Sequence, residues 1–283
     1  MTEKNVTPGA PQTTAIAHPT SAVPAVPAPA TGGTLANIPK DLARDAGRGT
    51  ENIGAGEVRP PRVKICQSGS PQRKEGNEKQ IAGLQELDLF NDLSGDIYGR
   101  KLTFAVIAVL PSKGIQFAAD MSVVDFDVPL NDPRMQFTAG ADGKRVKPVA
   151  SLFHNFLCWL PDSSEVVVLS MSSTLIPTAI KLKGMLKLPL KLDGSILPNP
   201  PAWARLYEVE TKMKNEGQYA WGILNLKQLG VTPPDVREVC STLAASFEGR
   251  TIAIDYDAPA DPEAAANAAA IDTTAVKEEP SDM

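Results

Sequence analysis

Residues 203–226 read WARLYEVETKMKNEGQYAWGILNL, two β-prone runs, Trp203–Met213 and Gln218–Leu226, on either side of Asn215-Glu216-Gly217. A three-residue loop ending in Gly suits a bulged hairpin turn, because Gly enters the left-handed region without a Cβ clash. Pairing Lys214 with Gln218 sets Met213 opposite Tyr219, Thr211 opposite Trp221, Val209 opposite Ile223 and Tyr207 opposite Asn225. In that register one face gathers Trp203, Tyr207, Tyr219 and Trp221, with Arg205 and Lys227 near the same end, while Lys212 and Lys214 point to the other. Such an aromatic face is either a core wall or a stacking platform, and the pattern leaves both readings open.

Outward from the hairpin, the rest of the body also reads as short strands. Leu102–Leu110 is an apolar run between Gly99 and Pro111 whose Val, Ile, Thr and Phe content favours a buried strand over a helix. Gly114–Phe117, Val123–Val128, Leu152–Leu160 and Glu165–Ser170 follow, each short and separated from the next by turn residues. Arg59-Pro60-Pro61-Arg62-Val63-Lys64-Ile65 enters the body as an extended segment, an edge strand with solvated bases or a phosphate clamp built from Arg59, Arg62 and Lys64. Two helices are expected. One begins at the Ser172-Ser173-Thr174 hydroxyls and buries Leu175, Ala179, Leu182 and Leu186. The other opens at Pro233-Pro234-Asp235, buries Val236, Val239, Leu243 and Phe247, and stops at Gly249. The fold class expected is mainly β (α+β): an OB-like Greek-key barrel, or a curved antiparallel sheet, carrying two helices.

Charge divides the chain more sharply than hydropathy does. Residues 37–250 carry 26 Lys and Arg against 24 Asp and Glu, whereas residues 251–283 carry eight acids against Lys277 alone. Before residue 35 the composition is mostly Ala, Pro, Thr and Val without an apolar period, which cannot repay the entropy of ordering. We therefore expect a disordered arm at 1–49, one folded domain at 50–257 and a disordered acidic tail at 258–283. Cys66, Cys158 and Cys240 are odd in number and widely spaced, so no disulfide framework is indicated. Neither a secretion signal nor an apolar run of bilayer length is present, and a soluble, cytoplasmic protein without membrane contact is expected.

Catalytic signatures are sparse. The chain holds two histidines, His18 in the arm and His154 among Phe153, Phe156 and Trp159, where a structural role is expected because no nucleophile neighbours it in sequence. Gly143-Lys144 is followed by Arg145 rather than Ser or Thr, so no phosphate-cradling loop is formed. Asp120, Asp125, Asp127 and Asp132 read as solvated loop edges rather than as a cation site. The expectation is a protein that is not an enzyme and takes no metal or other cofactor.

Binding remains. Residues 181–214 hold Lys181, Lys183, Lys187, Lys191, Arg205, Lys212 and Lys214 against three acids, interleaved with Trp203 and Tyr207 and followed by Tyr219 and Trp221. Single-stranded nucleic acid is held by this pairing, cations tracking the backbone while aromatic faces stack bases at about 1–3 kcal/mol each.

The successive phrases "RPPRVKICQSGSPQ" (59–72), "LFNDLSGDIYGRKLTFAVIAVLP" (89–111), "FLCWLPDSSEVVVLSMSSTLIPTAIKLKGMLKL" (156–188) and "LYEVETKMKNEGQYAWGILNL" (206–226) resemble bacteriophage single-stranded DNA-binding proteins of the OB-fold type. That resemblance implies a Greek-key barrel with a basic groove that coats exposed DNA in replication or recombination. The matching positions are Lys181 and Lys183 in "TAIKLKG" and Lys212, Lys214, Tyr219 and Trp221 in "KMKNEGQYAW". Replication or recombination proteins are then candidate partners of the acidic tail, and a homo-oligomer is a candidate assembly. The tail ends Pro280-Ser281-Asp282-Met283, without the aromatic tip that recruiting tails of that family carry. The alternative is a phage accessory protein that binds a host or phage protein, for instance in the transcription or replication machinery, with no DNA affinity of its own.

Overall fold

The computed structural model describes residues 59–119, 122–140, 143–216 and 219–250, together with 252, 254 and 256; the side chains of Glu216 and Tyr219 are outside that set. The boundaries expected at 49/50 and 257/258, the arm and the tail all lie outside the described residues. In chain order the strands of the first half are β1 (Arg62–Ile65), β2 (Leu89–Asn91), β3 (Ile97–Gly99), β4 (Lys101–Val109), β5 (Lys113–Phe117), β6 (Val123–Val128), β7 (Thr138–Ala139) and β8 (Arg145–Val146). Then come β9 (Ala150–Leu160), β10 (Glu165–Ser172), helix α1 (Ile176–Lys187), β11 (Leu190–Leu192), β12 (Ser195–Leu197), β13 (Arg205–Glu216), β14 (Tyr219–Val231) and helix α2 (Pro234–Phe247).

The main sheet runs in the order β14-β13-β4-β9-β10-β1-β2-β3, with β5 pairing both β9 and β6. Its pairs are antiparallel apart from β1 with β10. The sheet is curved and open, a half-barrel. Bulges at Ile107 in β4, between Val106 and Ala108, and at Leu229 in β14, opposite Leu206 and Tyr207, increase its coiling. The curl brings the far edge back on the sheet's start, where the Gln67 side chain after β1 accepts from Gly222 N of β14 at 2.9 Å. Thr211 of β13 closes the same seam, its hydroxyl donating to Leu87 O at 2.6 Å and its backbone N to Arg100 O at 2.9 Å. Of the two architectures expected, the curved antiparallel sheet with two helices is the one present.

Period-two alternation splits β4 and β9 between two cores. Phe104, Val106, Phe156 and Cys158 face inward and meet Ala179, Leu182 and Leu186 of α1. Ala105, Ile107 and Leu157 face outward, where Cys240, Val236, Leu243 and Phe247 of α2 cover them. Central strands covered on both faces need apolar residues at nearly every position, which is why Leu102–Leu110 shows no clean alternation. Burying each large aliphatic chain here contributes about 1.5–3 kcal/mol before entropy is counted. Ile252 and Ile254 extend the outer core, and Tyr256 ends it edge-on to Phe153 at 5.0 Å, its hydroxyl accepting from Asn155 Nδ2 at 3.0 Å.

Two local expectations change. The hydroxyls of Ser172, Ser173 and Thr174 do not cap α1: a 3-10 turn, Ser173–Leu175, leads into it, and no side chain bonds its first N–H groups. The hairpin register also differs. Lys214 pairs with Trp221 and Glu216 with Tyr219, so only Gly217-Gln218 separate the strands. That is a shift of three residues from the sequence reading, and an odd shift turns one strand's side chains over. The observed register puts Val209 and Thr211 opposite Leu226 and Leu224 on the buried face. Burying Leu224 and Leu226 outweighs the aromatic alignment that the other register favours.

Candidate nucleic-acid interface

The shifted register redistributes the predicted binding residues into separate places. Tyr207 is fully buried in the inner core against Phe104, ring centroids 5.8 Å apart, so it is no stacking platform. Burial raises its phenol pKa, with the Arg205 guanidinium opposing. Trp203 lies across the sheet, packed into the outer core beside α2. Arg205 is buried too, and its guanidinium donates to Leu188 O and Pro189 O at 2.9 and 2.8 Å. It holds the chain leaving α1, which corrects its expected place among phosphate-binding bases.

The bases of β1 are likewise engaged. Arg62 is buried, its Nε 3.0 Å from Asp92 Oδ2, while its backbone N donates to Oδ1 at 2.7 Å. Lys64 Nζ lies 3.6 Å from the same carboxylate. β1 sits between β10 and β2, not at an edge, and Arg62 and Lys64 both neutralise Asp92; Arg59 is exposed before the strand. Lys181 Nζ donates to Leu226 O at 2.8 Å, and Lys183 turns to His154 and Ser112. Lys187 in the last turn of α1 and Lys191 in β11 are exposed.

What the hairpin does present is a solvent-facing strip on the outer side of β4, β13 and β14, beyond the reach of α2. Its residues are Lys101, Glu208, Glu210, Lys212, Lys214, Trp221, Asn225 and Lys227, with four lysines against two glutamates. Lys214 Nζ stands 5.3 Å from the centroid of the half-buried Trp221 ring. Glu210 is flanked by Lys101 and Lys212, each 3.4 Å away. Desolvation raises its carboxyl, but the two ammonium groups outweigh that and hold it below its ordinary value. Trp221 therefore shares a face with Lys212 and Lys214, whereas the sequence reading put it on the opposite one.

A second basic and aromatic spot escaped the sequence reading. The Arg145 guanidinium of β8 lies 3.6 Å from the centroid of the exposed Phe137 ring, between exposed Lys144 and Lys147. Its signal lies in Gly143-Lys144-Arg145-Val146-Lys147, downstream of Phe137, a string that fails as a phosphate loop yet holds three bases. The neighbouring carboxylates are committed: Arg134 bridges Asp125 at 3.1 Å and Asp132 at 3.0 Å, and Lys113 holds Asp127 at 2.6 Å. They are ion-paired rather than merely solvated; Asp120 is outside the described residues. Among the described residues no cluster of His, Cys, Asp or Glu suited to a metal ion occurs, and no helix is long and apolar enough to cross a membrane. Cys66, Cys158 and Cys240 are free and buried.

This geometry describes a curved-sheet α/β protein with a cationic, aromatic strip on one open face. Residues 30–114, under a third of the chain, match the family model described as Pam3 phage gp34-like protein, so a phage-associated family is indicated over that stretch. No curated protein and no solved structure matches the chain.

Proposed function

We propose that this protein binds single-stranded DNA with little sequence preference, in phage DNA replication or recombination, and that its acidic C-terminal tail regulates that contact. The observation that carries the reading is the Lys214 ammonium over the Trp221 ring on the open outer face, beside Lys212. Cation and ring are the two elements that single-strand binders combine, and the half-barrel is an architecture that accommodates them. The phage-associated match supports the biological setting. Residues 251–283, with eight acids against one lysine, carry charge of the sign needed to compete with DNA for the strip.

The test is an oligothymidylate titration at two salt concentrations, following tryptophan fluorescence, with the full chain and with residues 258–283 deleted. Binding is expected to quench Trp221, to weaken steeply with salt, and to tighten at low salt in the deleted chain. Affinity no better than millimolar at low salt, unimproved by the deletion, would end the proposal.

A second reading draws on the exposed apolar residues of α1 and the β11–β12 hairpin: Ile180, Leu188, Ile196 and Leu197. They favour an accessory protein that docks on a host or phage protein. A partner retained from infected-cell extract after nuclease treatment, by a protein without oligonucleotide affinity, selects this reading.

A further inference from the structure

Ser112, His154 and Lys183 come from three separate elements and meet at one point. Lys183 Nζ on α1 lies 2.9 Å from His154 Nδ1 on β9 and 3.0 Å from Ser112 Oγ in the β4–β5 connection, and Ser112 Oγ lies 2.8 Å from the same Nδ1. The hydrogen inventory of this triangle is lopsided. The ammonium brings three N–H donors, the serine one O–H and the imidazole one N–H, while Nδ1 offers a single lone pair. A ring whose Nδ1 accepts carries its proton on Nε2. Donors are left over whichever of Lys183 and Ser112 bonds Nδ1. Among the described residues no carboxylate lies within ion-pair distance of Lys183; the nearby Lys113 is held by Asp127.

We propose that Ser112, His154 and Lys183 form a binding site for the oxygens of a phosphate group. Lys183 and Ser112 leave donors over at one point on the inner side of the sheet, beside the His154 ring, and a cation with no carboxylate in ion-pair distance supplies the charge that a phosphate would balance. Beside the imidazole, β10 contributes its uncharged register partner Met171, the β4–β5 connection Ser112, β5 Lys113, and α1 Lys183 with exposed Lys187 a turn later. Burial first, and then the Lys183 charge, hold His154 below its ordinary pKa. The negative charge of a bound phosphate favours the imidazolium and offsets Lys183, so the site takes up a proton as it fills and binds more tightly as pH falls. That the phosphate belongs to a DNA strand rests on the function proposed above; the site itself does not.

The chain has two histidines, so NMR of their ring protons isolates His154, with His18 as internal control. Full-length protein is titrated in pH with inorganic phosphate, and again with oligothymidylate, against chloride at equal ionic strength. Phosphate is expected to raise the His154 pKa by about one pH unit. The rise should vanish in Lys183→Gln and shrink in Ser112→Ala, a milder variant should the first not fold. If oligothymidylate raises it as well, the phosphate is a backbone phosphodiester. If the oligonucleotide quenches Trp221 without moving His154, the site is one for free phosphate and the proposal stands. A His154 pKa unchanged by saturating phosphate overturns the proposal, whatever the oligonucleotide does to Trp221.

Discussion

Gly222 shows how much one missing Cβ allows. A Cβ built there would lie 2.9 Å from Leu87 Cδ2 and 3.1 Å from Ile65 Cγ2, at the seam where β14 meets the chain after β1. Gly222→Ala must push those side chains back or part the Gln67 hydrogen bonds, and we expect a loss of about 1–3 kcal/mol in urea denaturation. Overpacking, not helix or strand propensity, sets that loss. His154 gives a second prediction at this scale. Its folded pKa lies below the ordinary value of 6.5, so as pH falls through and below that value the unfolded chain takes up the proton first. Stability is then lost on acidification across that window, and His154→Gln should flatten the slope of the urea midpoint between about pH 7 and 5. On the open face, Trp221→Ala should weaken oligonucleotide binding by about 1–3 kcal/mol, while Trp203→Ala, in the outer core, should lower the melting temperature and leave affinity nearly intact.

Between elements, the edge of β14 is the decisive contact. Its outward-pointing backbone is occupied residue by residue: Gly222 by Gln67, Leu224 O by the Thr178 hydroxyl at 2.8 Å, and Leu226 O by Lys181 Nζ at 2.8 Å. An unpaired strand edge invites another strand, and here side chains block it. The double variant Thr178→Val, Lys181→Met reopens two of these carbonyls and should self-associate with rising concentration in analytical ultracentrifugation. These contacts also mark the limit of what the sequence shows. The strands of β4, β6, β9 and β10, and the buried stripe Ala179, Leu182 and Leu186, were legible because apolar spacing reports local burial. The register of β13 on β14 was not. It depends on Leu224 and Leu226 meeting α1 and on Gly222 meeting Leu87, contacts that no window within the hairpin contains. The same reason hid the Ser112, His154 and Lys183 triangle, whose members stand 29 to 71 residues apart.

For the whole molecule, the summed charge says less than its placement. Within residues 181–214 Arg205 is buried and partnered, Lys181 donates to a carbonyl and Lys183 to Ser112, so three of the seven bases there are engaged within the fold rather than forming one continuous phosphate track. The strip around Trp221 retains four lysines, and replacing Lys212 and Lys214 together by Gln should lower the salt slope of oligonucleotide binding by about 1.4, two phosphates at roughly 0.7 each. A slope unchanged by that pair would place the nucleic acid elsewhere, with Arg145 and Phe137 the first alternative to examine.

The seam that closes the half-barrel joins residues far apart in the chain: Gln67 to Gly222 across 155 positions and Leu87 to Thr211 across 124. Loop closure over such spans brings no stabilisation until the intervening strands are in place. The segment that opens the body therefore waits for the last hairpin before it is held. Folding should be slow for a chain of this size, with the seam forming after the transition state and parting first in native-state hydrogen exchange.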